Sequence, residues 1–159
     1  MDEKENAEAV RLVCRGNPLA VQFLEDITEI LHLWDDLIDR DKPLQDAAIN
    51  RTMWKALINL PRNQFYSANF LFLNGLLMTA IINWELATTM ERTQVDDNDL
   101  PIAFILRSSY VDLVTGVALI VGGREHALEM MLTARRLWHN EGLYGYRKAL
   151  AQEQTVRGE

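Results

Sequence analysis

Apolar residues recur along this chain at the three- and four-residue intervals of a helix, and no stretch shows the two-residue alternation of a half-buried strand. The pattern predicts a short helix from Ala7 to Arg15, stopped by Gly16. Asn17 and Pro18 then supply an N-cap and a first helical residue for a second helix running to Asp39 or Arg40. Asp41-Lys42-Pro43 ends it, because proline cannot continue the hydrogen-bond ladder. A third helix is expected from Gln45 to Asn59, before Pro61, and a long fourth from Gln64 to Glu91. The polar, acidic stretch Arg92 to Pro101 reads as a loop. A fifth helix starts near Pro101, capped by Asn98 or Asp99, and ends at Gly122-Gly123. A sixth spans Arg124 to Asn140, stopped by Gly142, and a short terminal helix covers Tyr146 to Gln154. Residues 1–6 and 155–159 are expected to fray.

The expectation is therefore a single all-α domain over residues 1–159, a bundle of about six or seven helices with two central apolar ones. Those two, Phe65 to Leu86 and Ile102 to Val121, are long enough to cross a bilayer. The first carries Asn69, Asn74, Asn83 and Glu85, and the second Arg107 and Asp112. These polar groups favour reading both as core helices of a protein without a membrane partner.

Composition narrows the function. The net charge of -7 argues against nucleic acid as a partner, because phosphate-backbone binding needs clustered cations and the only short basic stretch, Arg135-Arg136-Leu137-Trp138-His139, reads as a helix end. A single cysteine, Cys14, rules out an intrachain disulfide and speaks against a thiolate zinc site. The acidic start Met1-Asp2-Glu3-Lys4-Glu5-Asn6 is unlike a signal peptide, and the chain reads as cytoplasmic. Neither a glycine-rich phosphate loop nor a nucleophile elbow is visible.

The chemically suggestive feature is the ladder Asp35-Asp36-Leu37-Ile38-Asp39 at the end of the second helix. On a helical wheel Ala20, Leu24, Ile27, Leu31, Trp34 and Ile38 form an apolar stripe. Glu25, Glu29 and Asp36 lie nearly opposite, and Thr28, His32, Asp35 and Asp39 form a flank between the two. Asp35 and Asp39, four residues apart, project to the same side and repel, and the negative end of the helix dipole adds to the cost. A divalent cation such as Mg²⁺ would reverse the sign of that interaction and bridge to a phosphate.

The segment Leu31 to Asp41 resembles the first aspartate-rich motif, DDxxD, of the all-helical trans-isoprenyl diphosphate synthases. The resemblance implies Asp35 and Asp39 as Mg²⁺ ligands, with Asp36 alongside, gripping a diphosphate. It implies phosphate contacts at Arg40 and Lys42, to which Arg107 and the flanking His32 can be added as ligand-binding candidates. A second motif is matched only by Asp96-Asp97-Asn98-Asp99-Leu100, which lacks the fifth-position acid and falls in a loop. The pairs Glu29-x-x-His32, Asp26-x-x-Glu29 and Asp36-x-x-Asp39 resemble di-iron and MazG-type signatures, but all sit on one helix rather than facing each other across a bundle. Asp112 is expected on a narrow polar strip of an apolar helix, paired with Arg107, Arg135 or Arg136, or else facing Asp35 and Asp39 across a cleft. The acidity and the Trp- and Asn-rich helices are also similar to uncharacterised tailed-phage and prophage proteins.

Two functions fit these residues. The first is an interaction or accessory protein with a protein partner or a second copy of itself. The alternative is a Mg²⁺-dependent diphosphate-binding protein or enzyme.

Overall fold

The structure is a computed structural model that describes residues 3–40, 42–138 and 142–157. It is all-α, and no strand occurs among the described residues. Its helices are α1 (Glu3–Val13), α2 (Pro18–Asp39), α3 (Asp46–Trp54), a π-turn (Lys55–Asn59), α4 (Leu60–Arg62), α5 (Gln64–Ala68), α6 (Phe70–Thr93), α7 (Asp99–Leu106), α8 (Tyr110–Trp138) and α9 (Leu143–Arg157). The chain divides into two compact units, Met1–Leu71 and Phe72–Glu159. The expected roles of Asp41 as a helix stop and of Asn140 as a helix end fall outside the described residues.

In the first unit α2 is the organising element, packed by α1, α3, the π-turn, α4 and α5. Its start follows the sequence. The Asn17 side-chain oxygen accepts from the Leu19 and Ala20 amides, both at 3.1 Å, and Pro18 opens the helix. Phe23, Leu24 and Ile27 are wholly buried, each contributing on the order of 1.5–3 kcal/mol through loss of apolar surface. Phe23 stacks on Tyr66 with ring centroids 5.0 Å apart, and Phe65 closes the cluster at 6.2 Å. Asn63 ties α5 to the start of α2. Its oxygen accepts from the Tyr66 amide at 3.0 Å while its amide donates to the Leu19 carbonyl at 2.9 Å.

Two boundaries in this unit differ from expectation. The third helix does not stop before Pro61. The chain widens into a π-turn in which the Leu60 N–H reaches back to the Lys55 carbonyl, and the helical run continues through Arg62. Proline lacks an N–H and its ring clashes with the carbonyl four residues earlier, so a locally wider turn accommodates it. The long fourth helix is broken at Asn69, whose φ of −117° and ψ of 21° are not helical and whose amide donates to the Phe65 carbonyl at 2.8 Å. An asparagine that bonds local backbone competes with the helix ladder.

In the second unit α6 buries one line of residues, Leu73, Ala80, Ala87 and Glu91. Gly116 of α8 lies so close to α6 that a Cβ there would sit 2.4 Å from Leu76 Cδ1 and 3.2 Å from Phe72 Cε1. Around it Leu113, Val114, Val117 and Ala118 are fully buried. The fifth helix of the sequence reading is split by a turn at Arg107-Ser108-Ser109, with no glycine or proline to announce it. The Ser108 hydroxyl donates to the Ile105 carbonyl at 2.6 Å, and the buried Ser109 hydroxyl accepts from the Asn83 amide of α6 at 2.9 Å. Asn98 holds the expected N-cap position of α7, but its side chain makes no capping bond. Asp99 instead accepts from the Val95 and Asp96 amides, at 2.8 and 3.1 Å, and so closes the loop ahead of α7.

The glycine pair behaves as expected. Gly123 takes φ 76° and ψ −172°, breaking α8 into two stretches, and a left-handed φ of this kind is cheap only for glycine. The ends are more ordered than expected, because helix begins at Glu3 and extends to Arg157. The close approach at Gly116 makes a prediction. Gly116→Val drives a branched side chain into Leu76 and Phe72 and lowers the unfolding free energy by about 1–3 kcal/mol in urea titrations. An unchanged midpoint would mean that the two helices do not meet there.

Candidate functional site

The acidic ladder ends α2, where Arg40 takes a left-handed φ of 55° and its N–H bonds the Asp36 carbonyl at 3.1 Å. Asp35, Asp36 and Asp39 are all half-buried, whereas His32 is exposed. Asp36 does not stand alone opposite the core, because Lys42 Nζ lies 2.7 Å from its carboxylate. Among the described residues no group of three or more His, Cys, Asp or Glu side chains is disposed to hold a metal ion.

The buried arc of α2 is rotated relative to the stripe read from the sequence. Phe23, Asp26 and Leu33 are buried, while Ile38 is exposed. The flank turned inward is therefore the one opposite Thr28, His32, Asp35 and Asp39. It carries Asp26, which the sequence suggested only as part of the Asp26-x-x-Glu29 pair. Asp26, only 1% exposed, accepts from Gln22 at 3.0 Å and pairs with Lys55 at 3.1 Å, and Lys55 also reaches Glu29 at 2.6 Å. Burial alone would lower the Lys55 pKa, but the hydrogen bonds and charges of Glu29 and Asp26 outweigh it and hold the ammonium above its usual value. Lys55 opens the π-turn, so the widened helix and the buried acid are parts of one arrangement.

The second buried carboxylate is Glu91, near the end of α6. Arg107 grips it with both Nε, at 2.8 Å, and Nη2, and the Tyr146 hydroxyl donates to the same group. Gln94 and Gln154 donate to the Glu91 backbone carbonyl at 2.9 and 3.3 Å. The Arg107 guanidinium lies 5.3 Å over the Trp84 ring, and Tyr146 packs on Phe104 at 5.2 Å. Burial, then the bond to Glu91 and its charge, push the Tyr146 hydroxyl well above the usual tyrosine range, against the opposing Arg107. This network joins α6, α7 and α9, and among the described residues it leaves no buried side-chain nitrogen or oxygen without a bond partner. Arg107, a candidate phosphate contact from sequence, is thus engaged inside the fold.

Asp112 is corrected in the other direction. It pairs with Arg135 at 2.7 Å, one of the expected guanidiniums, but its side chain is 57% exposed. Asp112 faces water while Ser108 and Thr115 of the same strip are half-buried, so no desolvation forces this pair.

The least expected feature is apolar. Leu71 is 89% exposed, and Phe72, Met78, Ile82 and Leu86 of the same helix are between 43% and 64% exposed. At 100° per residue, Leu71, Gly75, Met78, Ile82 and Leu86 fall within about 80° of arc. They lie opposite the buried line of Leu73, Ala80 and Ala87. Spacings of four and three residues, continued by Glu85 and Thr89, give the stripe the 3.5-residue repeat of a helix-pairing seam. Nothing lies within 4 Å of where a Cβ on Gly75 would stand. α6 and the stretch Asp99–Trp138 are long and apolar enough to cross a membrane, yet only 17% and 39% of their most apolar windows are buried. α6 is therefore not covered all round, as a central helix was expected to be. Reading α6 as two opposed heptad lines, rather than as one apolar run, is the signal that finds this stripe.

Two outcomes follow. Glu91→Ala leaves Arg107 buried without its carboxylate and costs about 3–5 kcal/mol in denaturant unfolding, whereas Asp112→Asn at the exposed pair stays within about 0.5 kcal/mol. The second concerns alkali. Burial and then the charge of Glu25 push the Cys14 thiol from 9.0 up to about 12. The folded state holds that proton more tightly than the unfolded chain. Stability is therefore undiminished below pH 9 and falls above it, at up to about 1.4 kcal/mol per pH unit for each such group. Tyr146 adds to the fall above its unperturbed value of about 10. Urea titrations between pH 7 and 11 should show this decline, flattened at its upper end in Tyr146→Phe. A stability independent of pH over that span would contradict both environments. The chain matches no protein-family model, and no curated protein or solved structure matches it.

Proposed function

We propose that this protein is an interaction protein whose working surface is the apolar stripe of α6. The observation that carries the reading is the exposure of Leu71, Met78, Ile82 and Leu86 along one face of one helix. At about 200 Å² for a fully exposed large apolar residue, these four present roughly 500 Å², toward the upper end of what a monomer normally shows. Water in contact with that surface is a standing cost, which a complementary protein surface removes.

A protein partner fits better than a bilayer. α6 is long and apolar enough to cross a bilayer, but its C-terminal third carries Glu85, Glu91 and Arg92, and Glu91 is held inside the fold by Arg107 and Tyr146. The stretch from α7 into α8 is interrupted at Arg107 and carries Asp112 and Arg135. Carboxylates and guanidiniums at those depths are not what lipid tails accept. A cytoplasmic accessory role, without nucleic acid or membrane, is consistent with this surface.

The test is the double variant Leu71→Glu/Ile82→Glu. Both side chains face solvent within the chain, so circular dichroism should remain helical and urea unfolding cooperative, while association through α6 is lost. Unfolding of the double variant would place the stripe in the core and overturn the reading. So would a rise in melting temperature with Mg²⁺ and pyrophosphate that vanishes in Asp35→Asn/Asp39→Asn, since that result points to the diphosphate function instead.

A further inference from the structure

We infer that the stripe of α6 receives the α6 of a second copy of this chain, antiparallel, about a two-fold axis between Met78 and Thr79. The inference rests on the interaction reading above and adds the identity and orientation of the partner. An axis at that point sets residues whose numbers sum to 157 at the same level. Leu71 then meets Leu86 of the second copy, Gly75 meets Ile82, and the two Met78 side chains meet near the axis. The pairing is large against small where it matters most. Ile82 is the bulky, 64% exposed knob, and Gly75 is the position with nothing around it. Removal of a Cβ lets two helices approach closely, and a neighbouring knob fills the space it leaves.

Charge chooses the direction. Glu85 continues the stripe and is exposed. In a parallel, in-register pair the two Glu85 carboxylates would face each other across the seam, Gly75 would face Gly75, and Ile82 would crowd Ile82. In the antiparallel pair the Glu85 levels stand 13 residues apart, about 20 Å of helix, beyond the screening length of about 8–10 Å. No other acidic or basic side chain lies between Phe70 and Glu85 to oppose the contact. Apart from Glu85 at its end, the charges that make up the net -7 lie outside this run. Leu71, Met78, Ile82 and Leu86 offer roughly 500 Å² of apolar surface per copy, and the intervening Gly75 and Thr79 supply further area toward the ~800 Å² that each partner of a stable pair buries, which sets this pair at the weak end. The Thr79 hydroxyl already donates to the Gly75 carbonyl at 3.1 Å, so it enters the seam with its hydrogen bond made.

Sedimentation of the full chain at roughly 100 μM, above the micromolar limit for interfaces of this size, tests the pairing. The expected result is a dimer, weakened by about 30-fold or more in Ile82→Glu. Cysteine substitution tests the orientation, with the native Cys14 buried and its thiol unreactive below about pH 9. Met78→Cys should cross-link two copies under mild oxidation. Leu71→Cys should not, because its two copies lie about 22 Å apart along the seam. Leu71→Cys/Leu86→Cys should cross-link again. Cross-linking of Leu71→Cys alone would show a parallel pair and overturn the arrangement. A wild-type monomer at that concentration would overturn the second copy as partner. If Leu71→Glu/Ile82→Glu still folds in that case, the interaction reading survives; if it unfolds, both fall together.

Discussion

A buried carboxylate must be met by donors or it does not stay charged, and the second half of this molecule is arranged around one such group, Glu91. It ends the buried line of α6, and the donors that satisfy it come from two other helices, Arg107 after α7 and Tyr146 in α9. The demand is directional. Arg107 leaves regular helix where it turns to Glu91, the chain bends through Ser108 and Ser109, and α8 starts afresh at Tyr110. Asp26 plays the corresponding part in the first half, where Lys55 reaches it from the π-turn that precedes Pro61. In each case a directional ion pair ties together segments whose apolar contacts alone are non-directional.

Helices fixed from one side leave the other side free, and α6 shows the consequence. Its inner line is Leu73, Ala80, Ala87 and Glu91, two of them alanines that permit close approach. Its outer line holds the larger residues Leu71, Met78 and Ile82. A helix that serves only its own core carries the reverse distribution, with large residues inside and small or polar ones outside. The outer line has the 3.5-residue repeat and the glycine that the proposed pairing with another helix uses. Chemistry that the sequence suggested at the end of α2 is, in contrast, partly absorbed locally, with Asp36 held by Lys42 and Arg40 serving as the helix C-cap.

Local signals carried most of the fold. Asn17-Pro18 opens α2 as the residues alone require, and Gly123 stops its helix with a left-handed φ. The absence of two-residue alternation was enough for the all-α class. Signals that depend on distant partners were not legible. Asp26 looks like any acid on a helix until Lys55, 29 positions later, is brought beside it. The same holds for Glu91 and Tyr146, 55 positions apart. The wheel of α2 omitted Phe23 and Leu33, and so turned the buried arc toward Asp35 and Asp39 rather than toward Asp26. Asp112 was read as buried because its neighbours are apolar, but helix sequence does not say which edge of a face a neighbouring helix covers.

The central claim, that the outer line of α6 is covered by a second copy of this chain, is tested most directly by side-chain oxidative footprinting over a range of protein concentrations. Met131 is buried and serves as the internal reference. The account predicts that Met78 and Ile82 react readily in dilute solution and become protected as concentration rises, while Met131 stays protected throughout. Reactivity of Met78 and Ile82 that is high and unchanged at every concentration would contradict it.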